Sequence, residues 1–149
     1  IGVNQIKFGM TRLEVKSVVG TKPVSFQKAI WSDSIVDAYE DLSIQLHFDD
    51  EDRLDFIEVE PDAEIMLDGQ KFSLNKSKDF IRRLEKLGYN FSSKNDGEYV
   101  YQSLGLIIGS TSGKIEAVSF FKSDYPFKEK QLQYELAADK YYKEKGILE

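Results

Sequence analysis

The sequence predicts an α+β fold, in which tandem units of a helix and an antiparallel meander form one sheet with helices on one face, followed by a C-terminal helix. Three observations lead to this prediction. Several short segments alternate apolar and polar residues, which is typical of strands with one buried face. Two segments that precede such strands repeat apolar residues at helical spacing. A third helical pattern follows the last strand.

The first helix is predicted between Phe8 and Gly20. Thr11 and Glu14 have the spacing of a capping box, in which each side chain accepts a hydrogen bond from the backbone amide of the other residue. Gly20 supplies the left-handed residue at which helices commonly end. A helix this short is only marginally stable in water by itself. These signals therefore predict a helix that is stabilised by packing on a sheet.

Four strands are predicted after this helix, at residues 24–31, 35–39, 42–48 and 54–59. The third has the clearest alternation, because Ser43, Gln45 and His47 separate its apolar residues and are expected to form a wet face. Phe56 and Ile57 are adjacent in the fourth strand and break the alternation. They predict either a β-bulge or a strand that is buried on both faces.

The second half begins with a short hairpin around Asp68 and Gly69, and a helix is predicted next within residues 75–88. Gly88 ends the helical pattern. Three strands are then predicted, of which the first begins at Tyr99 and the others span residues 104–108 and 115–121. This half therefore repeats the order of a helix followed by a meander.

The two halves also align with each other. Residues 39–62 lie over residues 101–124 if one residue in the turn is skipped. The matched positions are Tyr39 with Tyr101, Leu42 with Leu104, Ile44 with Leu106, Leu46 with Ile108, Leu54 with Ile115, and Ile57 with Val118. We predict a single domain over residues 1–149, with repeats at about 5–62 and 63–124 and a C-terminal helix at about 127–145. The alternative is a chance similarity between two β-hairpins.

The predicted C-terminal helix has two apolar sides. One stripe contains Phe127, Tyr134, Ala138 and Tyr141. Leu132 and Leu136 lie on another side. We interpret the helix as docked on its own domain, and the alternative is a helix that faces a partner or forms a dimer.

The composition is that of a folded domain, because 41% of the 149 residues are hydrophobic and 13% are aromatic. No apolar run approaches the roughly 18 residues of a membrane-spanning helix, and no secretion signal is evident. The lack of cysteine excludes disulfides, thiolate zinc sites and cysteine nucleophiles, and it fits a reducing compartment. The cytoplasm is therefore the expected location.

One segment gives the chain its net charge of −6. Residues 49–64 contain nine acidic residues and one basic residue, Arg53, whereas the rest of the chain has 17 acidic and 19 basic residues. Nucleic acids and anionic membranes would be repelled by this segment, so neither is expected as a partner.

No residue pattern indicates an enzyme or a metal site. His47 is the only histidine, and no GxSxG serine motif accompanies it. DDEDRLD fails as a calcium loop, because Arg53 and Leu54 occupy positions that require a ligand and a glycine. GSTSGK has the wrong glycine spacing for a phosphate loop and precedes a strand. We therefore expect no catalytic residue, no metal and no cofactor.

A set of residues in the first half carries a family resemblance. Gly-Met-Thr at residues 9–11 is followed by Val15, by Val18-Val19-Gly20, by Pro23 and then by LSIQLHFDDEDRLDFIEV. Over residues 6–60 this pattern resembles the small outer-membrane-assembly lipoprotein family and the β-lactamase-inhibitor proteins. The resemblance implies a short helix packed on a meander whose last hairpin carries an Asp-rich turn. The lipoprotein family usually has one such unit and a lipid-bearing cysteine, so two predicted units without cysteine imply the inhibitor-like arrangement, which binds another protein.

These observations predict a non-enzymatic protein-binding module, namely an immunity-type inhibitor that neutralises a bacterial toxin. The partner is expected to be a basic toxin domain. The predicted contact residues are the acids Asp49, Asp50, Glu51, Asp52, Asp55, Glu58 and Glu60, with Tyr39 and Tyr101 as aromatic anchors on an open sheet. The alternatives are an envelope or assembly scaffold and a carboxylate-based hydrolase.

Overall fold

A computed structural model describes residues 6–32, 34–61, 63–67, 70–73, 77–112 and 114–146. Within these ranges the chain forms three α-helices, an eight-stranded sheet and a two-stranded hairpin. The elements are α1 (Arg12–Val19), β1 (Val24–Gln27), β2 (Ile35–Tyr39), β3 (Ile44–Phe48), β4 (Leu54–Val59), β5 (Glu64–Leu67), β6 (Gln70–Ser73), α2 (Ser77–Lys86), β7 (Ser93–Asn95), β8 (Glu98–Tyr101), β9 (Leu106–Thr111), β10 (Lys114–Phe121) and α3 (Phe127–Glu144). The predicted α+β class is confirmed.

The large sheet is antiparallel throughout, with the order β1-β2-β3-β4-β10-β9-β8-β7. The first four strands form one half of the sheet and the last four form the other. The halves join at the centre, where β4 pairs with β10. The β5-β6 hairpin lies outside this sheet, in the connection between β4 and α2.

The helix α1 has the predicted caps. The Thr11 side chain accepts a hydrogen bond from the Glu14 amide, and the Glu14 carboxylate accepts one from the Thr11 amide. Gly20 ends the helix with φ 80°. Val15 and Val19 are one turn apart on the buried side of α1, so the capped helix packs on the sheet as predicted.

The main core lies between the sheet and the helices α1 and α2. Phe80 and Leu84 of α2 are buried in the same apolar cluster as the α1 valines. The sheet contributes residues of one face, among them Leu46, Ile57 and Val118. Both helices that begin a predicted unit therefore cover the same side of the sheet.

The C-terminal helix α3 covers the opposite face, which corrects the prediction of helices on one face and of a wet side on β3. Phe121 packs edge-to-face against Phe127, with ring centroids 4.9 Å apart. Trp31, in the β1-β2 loop, contacts Tyr134 with ring centroids 5.5 Å apart. The side chain of His47 is consequently only 14% exposed. Alternation within one strand cannot show a cover that comes from a distant helix.

The α3 contacts confirm the prediction that this helix docks on its own domain. The predicted aromatic stripe faces the sheet and Trp31, which also contacts Tyr141 with ring centroids 6.4 Å apart. Leu132 and Leu136 on the other side are 56% and 59% exposed. No residue of α3 is fully buried.

Strand β4 contains the predicted irregularity. His47 pairs with Phe56 and Phe48 pairs with Leu54, so Asp55 is the extra residue of a β-bulge. Both faces of β4 have neighbours, because the first face meets the core and, on the second, Phe56 contacts Tyr125 with ring centroids 5.1 Å apart. The predicted bulge is therefore confirmed, whereas burial on both faces is incomplete, because the side chain of Glu58 is 45% exposed.

Several local features differ from the sequence prediction or lie outside the description. Strand β1 ends at Gln27 rather than at residue 31, and β9 spans Leu106–Thr111 rather than residues 104–108. Residues Glu40–Leu42 form a 3-10 turn, so β3 begins at Ile44 rather than at Leu42. Strand β7 was not predicted, because its residues are polar and exposed. The turn residues Asp68 and Gly69 lie outside the described residues, although β5 and β6 pair as the predicted hairpin requires.

Candidate functional site

The turn between β3 and β4 is the most acidic part of the described surface, and its own carboxylates help to fold it. Asp49 Oδ1 accepts hydrogen bonds from the amides of Glu51 and Arg53, each at 2.9 Å. This side-chain bonding is typical of Asp at the start of a turn. Asp52 has φ 62°, in the left-handed region. The carboxylate of Asp49 is thus engaged in shaping the turn.

The acidic turn is fixed to the start of α1. Arg12 Nε lies 2.8 Å from Asp52 Oδ1, and Arg12 Nη1 lies 2.7 Å from Asp37 Oδ1 on β2. The Arg53 guanidinium donates to the Gly9 carbonyl at 2.9 Å. Because these contacts hold the turn against residues 9–12, it presents the exposed carboxylates of Asp50 and Glu51 in a defined place.

Asp55 lies in the bulge and is buried, at 5% exposed. Its Oδ2 is 3.4 Å from Lys130 Nζ of α3, whereas its Oδ1 has no hydrogen-bond partner among the described residues. Burial raises the pKa of Asp55, and the nearby Lys130 opposes this shift. The predicted contact residue Asp55 is therefore an inner carboxylate rather than a surface charge.

Glu58 and Glu60 are separated from the turn. Glu58 Oε1 lies 3.2 Å from His47 Nε2, although the two atoms are not aligned as a hydrogen bond, and the nearby imidazole lowers the pKa of Glu58. Glu60 is exposed just beyond the end of β4 that is distant from the turn. Of the segment's last two acids, Asp62 lies outside the described residues, and the side chain of Glu64 does too.

Tyr39 and Tyr101 do not lie on an open face, so the prediction of their placement is wrong. Each is 1% exposed and belongs to the core cluster under α1 and α2. Burial raises the pKa of Tyr101 to about 12, and the pKa of Tyr39 is also raised chiefly by burial. Since both strands end at these residues, the sequence alone left open which side of the sheet the rings would occupy. A partner docked on the surface would not reach them.

A cleft joins the acidic turn to the beginning of α3 and contains residues that the sequence did not indicate. Its volume is about 320 Å³. The acids that line it are Asp49, Asp50, Glu51, Asp55, Asp124 and Glu129. Lys122 and Lys130 are the basic residues in its wall. Asp124 and Glu129 extend the acidic surface because α3 folds back over the sheet. No local sequence pattern indicates that these two residues lie beside the turn.

The cleft lacks the arrangement of a metal enzyme. No three side chains of His, Asp or Glu form a metal-binding group in the described parts of the chain. Asp55, the most buried carboxylate of the cleft lining, has the ammonium of Lys130 beside it. His47 has Glu58 as its charged neighbour. The acids that line the cleft outnumber its two lysines, so its net charge attracts a cation.

No known protein family, curated protein or solved structure matches the chain. Among the described residues, no helix has both the length and the apolar character needed to cross a membrane.

The pH dependence of stability should distinguish the carboxylates of Asp55 and Glu58. The raised pKa of Asp55 means that its contribution to stability is present below its unfolded pKa and is lost as the pH rises through the folded value. Relative to the wild type, Asp55→Asn should therefore gain stability as the pH rises from about 3 to 7. Glu58→Gln should show the opposite trend, because the pKa of Glu58 is lowered. Urea unfolding of both variants at several pH values measures these differences, and equal trends would contradict the assignment.

Proposed function

We propose that this protein is a protein-binding module of the immunity type, which binds a basic bacterial toxin and thereby neutralises it. The observation that carries the proposal is the hydrogen-bonded acidic turn with its adjoining acidic cleft. The turn holds Asp50 and Glu51 exposed, and the cleft adds Asp124 and Glu129 from a distant part of the chain. A surface of one charge sign, supported on a folded framework, attracts and orients a partner of the opposite sign.

We also propose that the chain consists of two repeats, as the sequence alignment predicts. The strand registers support this proposal. Tyr39 pairs with Ile44 where β2 meets β3. Tyr101 pairs with Leu106 where β8 meets β9. The sequence alignment matches Tyr39 with Tyr101 and Ile44 with Leu106. The two halves therefore contain equivalent cross-strand pairs at equivalent positions.

The centre of the sheet gives independent support for two repeats. Val59 lies opposite Val118, and Ile57 lies opposite Phe120. The sequence alignment places Ile57 over Val118 and, two residues later, Val59 over Phe120. Exchanging the halves therefore converts one pair into the other, as an approximate two-fold axis between β4 and β10 requires. This symmetry fits the inhibitor-like arrangement that the sequence resemblance implies.

Co-expression with a toxin tests the proposed function. Proteins encoded next to this chain should be expressed one at a time in a bacterial host, in the cytoplasm, where we propose that the inhibitor acts. A neighbour that stops growth should do so no longer when this chain is co-expressed, and the two purified proteins should form a complex in calorimetry. If no neighbour is toxic, or if the chain neither rescues growth nor binds the toxin, the proposal is wrong.

Charge reversal at the turn should slow association with the toxin. Asp50→Lys combined with Glu51→Lys changes exposed charges without removing the bonds of Asp49 or Asp52. The association rate at low ionic strength should fall by about tenfold or more, because electrostatic steering is lost. The difference should shrink as salt is added, since screening weakens the attraction. Stopped-flow mixing measures both effects.

The matched control reverses another pair of adjacent exposed acids, Glu40 and Asp41. These residues precede β3, whereas the acidic turn follows it, so the control places the same change of charge at the opposite end of the strand. Its association rate should change much less. If both double variants slow association equally, net charge accounts for the effect and the turn does not form the interface.

A further inference from the structure

The C-terminal helix α3 is held less firmly than the other two helices. Val15 of α1 and both Phe80 and Leu84 of α2 are fully buried in the main core, whereas no residue of α3 is fully buried. Even Phe127, at the beginning of α3, is 39% exposed. Because packing of apolar side chains supplies most of the stability of a helix in a protein, α3 gains less from docking than α1 and α2 do.

Open space remains at two places in the contact between α3 and the sheet. A cavity of about 240 Å³ is lined by His47 of the sheet and Ala137 of α3. Another, of about 410 Å³, is lined by Phe56 of the sheet and Phe127 of α3. Tyr134 borders both cavities. Because a gap removes the contacts that close packing would provide, α3 makes fewer dispersion contacts than a closely fitted helix would.

The docked helix also covers polar atoms that have no hydrogen-bond partner. Among the described residues, Trp31 Nε1, His47 Nε2 and Asp55 Oδ1 are buried without one, and all three residues line the cavity of about 240 Å³ beneath α3. The hydroxyls of Tyr39 and Tyr101 have no partner either, but they lie in the main core. Burial of an unpaired polar atom is destabilising, so undocking of α3 would be favoured by the access of water to the first three atoms.

Three sets of contacts oppose this undocking. At the beginning of α3, Phe127 packs against Phe121. Further along, Lys130 Nζ lies 3.4 Å from Asp55 Oδ2. In the C-terminal half of the helix, Trp31 contacts three rings, with centroids between 5.4 and 6.4 Å away, namely those of Tyr134, Tyr141 and Tyr142. This half of α3 is thus attached chiefly through one residue of the β1-β2 loop.

We infer that α3 is a strap that opens as one unit, while the sheet and the helices α1 and α2 remain folded. Opening separates the tyrosines of α3 from Trp31 and uncovers the second face of the sheet. It also removes Glu129 and Gln133 from the wall of the acidic cleft. The cleft is therefore complete only while α3 is docked, and a ligand that spans it favours the docked form. The inference does not depend on the proposed function.

Native-state hydrogen exchange of the full chain tests the inference. A helix of 18 residues is marginal in water without packing, so the amides of α3 exchange in the open form. Relative to their rates in an unfolded chain, they should exchange at least about hundredfold faster than the amides of α2 and β4. Their exchange should also respond less to low concentrations of urea, because opening exposes less surface than global unfolding does.

Two variants separate the opening of α3 from global unfolding. Val15→Ala weakens the main core, which the open form retains. It should accelerate exchange of the α2 and β4 amides by about tenfold and leave the α3 amides unchanged. Trp31→Ala removes contacts that exist only in the docked form, so it should accelerate exchange along the whole of α3 by about tenfold. The control Leu13→Ala, at a position that is 75% exposed, should change neither set.

The inference is overturned if the α3 and α2 amides of the wild type have the same protection and the same urea dependence, because α3 then opens only when the whole chain unfolds. This comparison needs no variant, so it decides the question even if Val15→Ala does not fold. Equal acceleration of both sets by Val15→Ala would also overturn the inference. If Trp31→Ala accelerates only the amides next to its own contacts, single turns fray and α3 does not open as a unit.

Discussion

Arg12→Ala should lower the free energy of unfolding by about 3–5 kcal/mol. Asp37 is 2% exposed on the core side of β2, and Arg12 Nη1 lies 2.7 Å from its Oδ1. Ser25 also donates to this oxygen at 2.7 Å, but it carries no charge. Removing the guanidinium leaves a buried carboxylate without its counter-charge. It also removes the contact with Asp52 that holds the acidic turn.

Urea unfolding measures this loss, and a double-mutant cycle isolates the pair. Arg12→Ala should cost less in a chain that already carries Asp37→Asn, because no buried charge is then left unpaired. Lys16→Ala, at an exposed position of the same helix, is the matched control and should change the stability by less than about 0.5 kcal/mol. A loss below about 1 kcal/mol for Arg12→Ala would mean that the pair is solvated like a surface salt bridge.

Gly105→Ala should destabilise the protein by about 2–5 kcal/mol, which combines a left-handed backbone with a forced shift of the chain. Gly105 has φ 62°, and a Cβ atom added there would clash with the carbonyl oxygen of Phe121. The Phe121 amide also donates to the Gly105 carbonyl at 2.8 Å, so the two backbones are held together. The methyl group cannot fit without moving the end of β10.

Gly20→Ala distinguishes the cost of a left-handed backbone from the cost of the steric clash. Gly20 has φ 80°, but an added Cβ atom would meet nothing within 4 Å. This variant should therefore lose only the conformational part, about 1–2 kcal/mol. Thermal or urea unfolding of the two variants gives the difference directly. Equal losses would show that the close approach of Gly105 to Phe121 is relieved at no cost.

Local signals predicted much of the fold. The capping pair of Thr11 and Glu14 located α1. The observed bounds of β2 and β4 agree with the predicted ranges, 35–39 and 54–59. These features depend on hydrogen bonds and side-chain periodicity within a few residues. Residues such as Phe56, which broke the alternation, correctly marked an irregular strand.

The remaining features depend on contacts between distant parts of the chain. The amphipathic pattern of α3 predicted a buried stripe but did not identify the surface that it covers. For this reason His47 was expected to face water, and Asp124 and Glu129 were not assigned to the site. Asp50 and Glu51 were placed correctly at an exposed turn, whereas the unpaired oxygen of Asp55 follows from the bulge together with α3.

The central pairing of β4 with β10 has a consequence for folding during synthesis. Strands β1 to β4 pair in chain order, so the first meander can form from local contacts as it leaves the ribosome. Its strand β4 then has a free edge until β10, the last strand of the sheet to be made, arrives. An apolar edge of this kind is a template for intermolecular pairing. The interval between the two strands is thus the period in which the growing chain is most prone to aggregate.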